Sequence, residues 1–598
     1  NDGGAFDEAA LKTFVHDSLT PTLDSLIKRL RAEHPPREDG SVPPQYVALE
    51  RDFRLWLMLC GDVALDARFI ETTLNDARKA AQLPPDAAGN ASFSHTVGRD
   101  DVRASDWKQP LDKELARKVS DELASAVWTP RVTARLLGRG GDTGPTTLAT
   151  LLPASSNTSG IKLSGGTTVS GFHHPAAWTS WARTAVEVAT EAEVRQFGRS
   201  AGSYGPAASS VIGKVETAYL DSFRKAWIGF LDSIRMSVPP DLPSATDALG
   251  VFSDYSSSPL RTILDLIRSS DVLPPTARGD NADWIKDSVA ALSELQITLH
   301  RFRNDTLSGE RFLKWHDDGK LPQLQGAFDS ASKGVERALS PIADPNFGKA
   351  IHGLFMRTME SVRRALAREA TAELSGAWQP VLRDFRANVA SGWPFDAQSN
   401  TDASLDRVID MLHPASGALW NVANMATTMS GLQLGGSPLV TLTPGYVTAI
   451  GNARLLTDRL FGGENRATVP RLSGSVMLRT RSGASDIALT INGKRLELRP
   501  GRRVNFEWSA DGGTCRLDAD SQSVDGGNGP WALIRLLGEA ESADVDTRRT
   551  QFTFHPASGM TITMILETAT AGNPFKADLF SRVVLPDAIC VPPVGDDE

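Results

Sequence analysis

Long apolar runs are missing from this 598-residue sequence. The most apolar stretch, Leu55-Trp56-Leu57-Met58-Leu59-Cys60, stops at Gly61-Asp62, well short of the roughly 18 residues that a membrane-spanning helix requires. Cysteine is scarce as well. Cys60, Cys515 and Cys590 form no C-x-x-C pair and have no histidine at ligand spacing, which argues against a structural zinc site. Cys515 and Cys590 share the C-terminal region and an oxidising compartment would allow them to pair; three separate thiols is the plainer reading. A basic excess is also absent, since 63 Lys and Arg stand against 72 Asp and Glu, a formal net charge of −9. Nothing in that balance draws the chain to nucleic acid or to anionic lipid. The sequence opens on Asn1 with no basic-then-apolar signal segment, so it reads as a piece of something longer.

What is present is a globular composition: 41% hydrophobic and 23% charged residues exclude extended disorder. The length corresponds to about four domains of roughly 150 residues. From residue 1 to about 400 the dominant period is helical. Leu23, Leu26, Ile27 and Leu30 recur at i, i+3, i+4, i+7 before Pro35-Pro36, and Tyr46 to Met58 repeats the pattern. A Gly-, Ser- and Thr-rich break runs from Gly138 to Ser170. Two long stripes follow. One joins Ile212, Val215, Tyr219, Phe223, Trp227, Phe230 and Ile234; the other joins Phe355, Met359, Val362, Leu366, Leu374, Trp378, Leu382, Phe385 and Val389. Pro380 inside the second predicts a kink or a break into two helices.

After about residue 430 the period changes to two. Ile487 to Ile491 alternates, Asn492-Gly493 suits a type I′ turn, and Leu496-Glu497-Leu498 returns. Val504 to Trp508 and Thr561 to Leu566 add strands, and Trp531 to Leu537 reads as a short helix. The predicted fold class is α+β and multidomain, with elongated helical bundle or stalk domains followed by a C-terminal antiparallel β-sandwich. The expected domains are N-terminal helical at 1–150, helical stalk at 151–400, helical and loop connector at 401–470, and sandwich at 471–598.

No motif assembles an active site. Gly198-Arg199-Ser200-Ala201-Gly202 matches the G-x-S-x-G elbow, but that motif needs a strand before its serine, and Val186 to Phe197 reads as a helix. Gly138 to Thr146 is rich in glycine yet lacks the lysine and the glycine spacing of a phosphate loop. His173-His174 and His316-Asp317-Asp318 are runs of neighbours, which a helix points about 100° apart, so neither converges on a metal by itself. His-Pro-Ala-Ser-Gly occurs at His413 to Gly417 and again at His555 to Gly559, a turn solution used twice. Lys494, Arg495, Arg499, Arg502 and Arg503 surround the predicted hairpin, either as a solvated edge that resists unwanted pairing or as a docking patch. No catalytic, cofactor-binding or metal-ligating residue is assigned, no cofactor is expected, and partner-binding residues stay open. Three classes of function remain: a structural interaction protein, an enzyme (a hydrolase, for instance) with a scattered site, and a peptidoglycan- or carbohydrate-binding module. The last needs a row of exposed aromatics on one sheet face. Phe506 and Trp508 share a face, and the core face is the expected one.

Several segments match one family in order and spacing. Gly529-Pro530-Trp531-Ala532-Leu533-Ile534-Arg535-Leu536-Leu537 is close to a Gly-Pro-Trp-Ala-Leu-Phe-Arg-Leu-Leu segment, with Ile534 in place of Phe. Asn573-Pro574-Phe575, Ser258-Pro259-Leu260, Gly392-Trp393-Pro394-Phe395, Leu412-His413-Pro414 with Gly417, and Tyr46 to Leu59 fall where that family has similar runs. Together they resemble the periplasmic part of the TssM (IcmF-like) core component of type VI secretion systems. Trp508-Ser509-Ala510 departs from the family's Trp-Pro-Gly, Phe197 stands where Trp is usual, and Leu579-Phe580-Ser581-Arg582 lacks the family's Phe-x-Cys-Pro ending. The family's cytoplasmic NTPase-like domain has no counterpart here.

The resemblance implies a structural role and no catalysis. The expectation is a periplasmic scaffold of a protein anchored in the inner membrane by segments outside this chain. It would bind an outer-membrane TssJ-like lipoprotein through the sandwich, and associate with a TssL-like inner-membrane protein and with further copies of itself. Asp511-Gly512-Gly513 and Asp525-Gly526-Gly527-Asn528 are the candidate tips for the lipoprotein contact.

Overall fold

The computed structural model describes residues 13, 15–32, 44–85, 87–97, 108–138, 144–152, 162–165, 167–197, 203–204, 208–269, 283–305, 309–461, 468–569 and 577–592. Helices fill its N-terminal two-thirds. Helix α1 (Pro44–Cys60) buries Tyr46, Leu49, Phe53, Trp56 and Leu57. Its Glu50 accepts hydrogen bonds from Trp128 Nε1 at 2.7 Å and Arg131 Nη2 at 2.9 Å. Arg131 and Arg135 also grip Glu193 of α2 (Arg183–Phe197) at 2.7 and 2.8 Å. A carboxylate buried this deeply is tolerated only when it is paired and hydrogen-bonded, so the network fixes which helices meet.

Helix α3 (Ala208–Ser233) buries Val211, Val215, Tyr219, Phe223, Trp227 and Phe230. The stripe read from sequence holds except at its first position, where Val211 is buried and Ile212 is only partly so. Helix α5 (Pro345–Asn388), which α4 (Arg311–Asp317) precedes, has 44 residues and so spans about 66 Å. Asp344 caps it by accepting from the Asn346 and Phe347 amides, with Pro345 in the first turn.

The break expected at Pro380 does not occur: the helix runs through it as one element. Proline removes the donor for the Gly376 carbonyl. Both residues lie on the exposed side, which leaves that carbonyl accessible to solvent, while Leu374, Trp378, Val381, Leu382 and Phe385 hold the buried side.

The C-terminal part contains two antiparallel sheets. Their strands are β1 (Arg471–Ser482), β2 (Ile487–Ile491), β3 (Lys494–Glu497), β4 (Arg503–Ser509), β5 (Thr514–Ala519), β6 (Gln522–Asn528), β7 (Glu541–Asp544), β8 (Arg549–Phe554) and β9 (Thr561–Thr568). One sheet has the order β6-β5-β2-β3, the other β7-β8-β9-β1-β4. The β2–β3 hairpin turns on Asn492 and Gly493, both at positive φ (50° and 77°), as a type I′ turn demands. Alternate residues face inward. Leu472, Val476, Phe506, Trp508, Met564 and Leu566 from one sheet join Ile487, Leu489, Ile491 and Leu517 from the other in a continuous apolar core. Helix α7 (Ala532–Gly538) lies on β5 and β6. Gly526 permits that approach, because a Cβ there would sit 2.3 Å from the Ala532 carbonyl oxygen.

The chain then leaves the sandwich. Residues 577–592 run back along α5 and α6 (Pro444–Leu460). Thr443 N donates to Ile589 O at 3.0 Å and Val591 N to Thr441 O at 2.8 Å. Trp378 Nε1 donates to Pro586 O at 3.0 Å, and Arg386 pairs with Asp587 at 2.7 Å. Cys590 belongs to this returning segment and Cys515 to β5, and all three thiols are free.

Candidate functional site: the sandwich and its junction

The polar runs singled out in the sequence have local partners. Ser200 and its elbow motif lie outside the described residues, as do Pro35-Pro36, Asn573-Pro574-Phe575 and, in the break after Gly138, residues 139–143, 153–161 and 166. His173 is buried, with Nε2 2.9 Å from Ser222 Oγ of α3 and its ring against Phe172 and Tyr219. Burial pushes its pKa down to about 4, so the ring is neutral. Its backbone carbonyl accepts from Trp227 Nε1 at 2.9 Å, and that of Phe172 accepts from Tyr219 OH at 2.9 Å. This histidine pins a turn onto a helix. His174 Nδ1 accepts from the Ala176 amide, His316 sits 3.1 Å from its neighbour Asp317, and Asp318 pairs with Lys314 and Lys320. Among the described residues no group of three or more His, Cys, Asp or Glu is placed to hold a metal. Phe506 and Trp508 are 3% and 2% exposed, so they serve the core and offer no stacking face for a sugar.

The best-built polar site is the junction between sandwich and helices. Trp531, fully buried, donates from Nε1 to Ala403 O at 2.8 Å. Arg535, one turn further along α7, pairs with Asp402, donates to Gly526 O at 3.2 Å, and lies over the Trp393 ring at 4.6 Å. Phe580 of the returning segment touches both Phe395 and Trp531, with ring centroids 5.3 and 5.9 Å apart. Gly392 is packed so closely that a Cβ would lie 2.5 Å from the Ala403 backbone. Sequence reading found Gly529 to Leu537 and Gly392 to Phe395 as separate matches; their meeting across more than a hundred residues had no local signal.

That junction also orients the sandwich. Gly529 approaches Asp402, Gly512 approaches Gly529, and Asn492 Nδ2 donates to Ser509 O at 2.7 Å and Gly512 O at 2.8 Å. The two candidate tips, Asp511-Gly512-Gly513 and Asp525 to Asn528, therefore both lie at the end facing the helices. The opposite end carries other turns. There Asp520 caps the Ser485 and Asp486 amides, Gly483 abuts Gly559, and Pro500 bridges to Leu478.

The IcmF-related family model ("Intracellular multiplication and human macrophage-killing") matches residues 8–270, the helical N-terminal portion. Residues 8–270 are thus IcmF-like by sequence. Among solved structures it is similar to a "Type VI membrane complex" chain at 17% identity and TM-score 0.52, covering 78% of this chain and 100% of that one. It is also similar to a "Type VI secretion system membrane core complex" chain at 15% identity and TM-score 0.49, covering 78% and 99%. A "T6SS protein TssM C-terminal domain" from EAEC matches at 19% identity and TM-score 0.31, covering 37% of this chain and 99% of that one. No curated protein matches the chain. The IcmF-like part by sequence is thus helical, and among the described residues no helix is long and apolar enough to cross a membrane.

Proposed function

We propose that this chain is a structural component of a type VI secretion membrane complex. It acts as a periplasmic spacer that joins an inner-membrane anchor to an outer-membrane TssJ-like lipoprotein, associating with a TssL-like protein and with copies of itself. The observation that carries this reading is the junction. A sandwich locked by Trp531 and Arg535 to the loop at Asp402 and Ala403, and by the 577–592 segment to a 44-residue helix, transmits position over a distance, as a scaffold must. The chemistry it offers to partners is surface complementarity, on the order of 1,600 Å² for a stable contact.

The lipoprotein contact belongs at the sandwich end away from the helices, at the turns 483–486, 520–521 and 555–560, because the junction occupies the other end. Loops held by rigid strands suit such an interface. Co-purification of the full chain with its cognate lipoprotein tests this. Retention that is lost when the 555–560 turn is replaced by a short Gly-Ser turn supports the placement. Retention that survives that change but fails on mutation of 511–513 places the contact at the junction end instead.

A further inference from the structure

Strand β4 ends the five-stranded sheet, and among the described residues no strand pairs with its outer edge. Antiparallel neighbours alternate between hydrogen-bonded and non-bonded pairs. Ala510 N donates to Pro470 O, so in this register Trp508, Phe506 and Val504 bond to β1, whereas Arg503, Asn505, Glu507 and Ser509 point their amides and carbonyls away from it. Ser509 has both groups filled by one side chain, since Asn492 Nδ2 donates to its carbonyl and Asn492 Oδ1 accepts from its amide. The outward groups of Arg503, Asn505 and Glu507 have no hydrogen-bond partner among the described residues. A hollow of about 500 Å³ lies over the face of the sheet across β9, β1 and β4, lined by Ser473, Ser475, Asn505, Glu507 and Glu567, with Lys494 at its rim.

The charge along this edge is of one dominant sign. Lys494, Arg495, Arg499, Arg502 and Arg503 face only Glu497 and Glu507 on β3, β4 and their connection. Arg495 is paired with Asp518 and Arg503 with Glu567, and Arg499 is 3.9 Å from Glu497. Lys494 and Arg502 have no ion-pair partner among the described residues. A basic edge repels the same edge of another copy, which guards against self-pairing; the same field attracts an acidic strand.

We propose that β4 is a docking edge for an acidic, extended segment of a partner protein, which adds to the five-stranded sheet as a further strand. Main-chain bonds to Arg503, Asn505 and Glu507 supply affinity, Lys494 and Arg502 select for carboxylates, and the Asn492 plug at Ser509 sets where the added strand stops. This goes beyond the lipoprotein contact proposed above, which uses loops at the sandwich end.

The test uses the full chain and a fluorescent peptide of about ten residues alternating Glu and Thr, with binding read by polarisation at low salt. A second peptide has the same sequence but is N-methylated at alternate residues, which keeps its charge and removes its edge donors. The Glu-Thr peptide should bind, and the N-methylated one should bind at least about tenfold more weakly. Asn505→Pro should weaken binding by a similar factor without unfolding the sheet, because the lost amide is not part of the ladder. Lys494→Glu with Arg502→Glu should abolish binding. Hydrogen exchange at residues 503, 505 and 507 should slow when the Glu-Thr peptide is added. Equal binding of both peptides would reduce the site to simple charge attraction and overturn the proposal. So would undiminished binding to the Lys494/Arg502 double variant, which remains decisive should Asn505→Pro fail to fold. Protection of these amides that rises with chain concentration and without peptide would assign the edge to a second copy and overturn it likewise.

Discussion

Acidification probes the packing of His173 directly. The imidazole is buried against α3, and burial holds its pKa at about 4 against an ordinary 6.5. In the unfolded or locally opened chain the ring takes up a proton below pH 6.5; in the packed state it does so only near pH 4. The opened state therefore binds more protons between those values, so stability contributed by the neutral ring is complete above pH 6.5 and is lost as pH falls towards 4. A gap of about 2.5 pKa units at about 1.4 kcal/mol each amounts to about 3 kcal/mol in full, of which about 2 kcal/mol is lost between pH 7 and pH 5. Hydrogen exchange of peptides spanning 170–180 and 215–230 reads the local opening free energy. In the wild type that energy should fall by about 2 kcal/mol more between pH 7 and pH 5 than in His173→Gln, which keeps a polar group near Ser222 Oγ but does not titrate. Equal pH dependence in the two proteins would refute the assignment of a neutral, packed His173.

Two other perturbations address the junction. Trp531→Phe leaves the Ala403 carbonyl without the indole donor that reaches it at 2.8 Å, a cost of about 1–3 kcal/mol for a buried unsatisfied group. The thermal midpoint should drop, and the fragments 393–403 and 528–538 should lose exchange protection together. Deleting residues 577–592 removes the partners of Trp378, Arg386 and Thr443. Its effect should appear in the helices, as faster exchange in α6 and in the last turns of α5; faster exchange confined to the sandwich would show that the segment stabilises its own sheet and not the junction.

These experiments separate two kinds of information in the chain. The helical stripes, the alternation in the C-terminal strands, the Asn492-Gly493 turn and the short helix after Trp531 were all legible in the sequence, because each depends on neighbours within a few positions; the change of period expected after about residue 430 comes only at Arg471, because the helix Pro444–Leu460 intervenes. The resemblance to the TssM family was legible for a similar reason, through short runs kept in order. The break into two helices read from Pro380 does not occur, because the rule that a proline breaks a helix concerns one missing donor. Whether that loss matters depends on which side of α5 faces water, and packing at Trp378, Leu382 and Phe385 decides it.

Only the tertiary structure could decide the rest. That 577–592 returns to α5 and α6, that Arg535 meets Asp402, and that both glycine-rich tips face the helices are contacts between residues far apart in sequence. Each is set by how the whole chain closes, and no local period encodes it. The basic cluster shows the division within one strand. Its charges were plain from the residues, but which amides of β4 point outward depends on its register with β1 and on the sheet ending there. Composition determined the sign of that edge, and the fold determined that no described strand pairs with it.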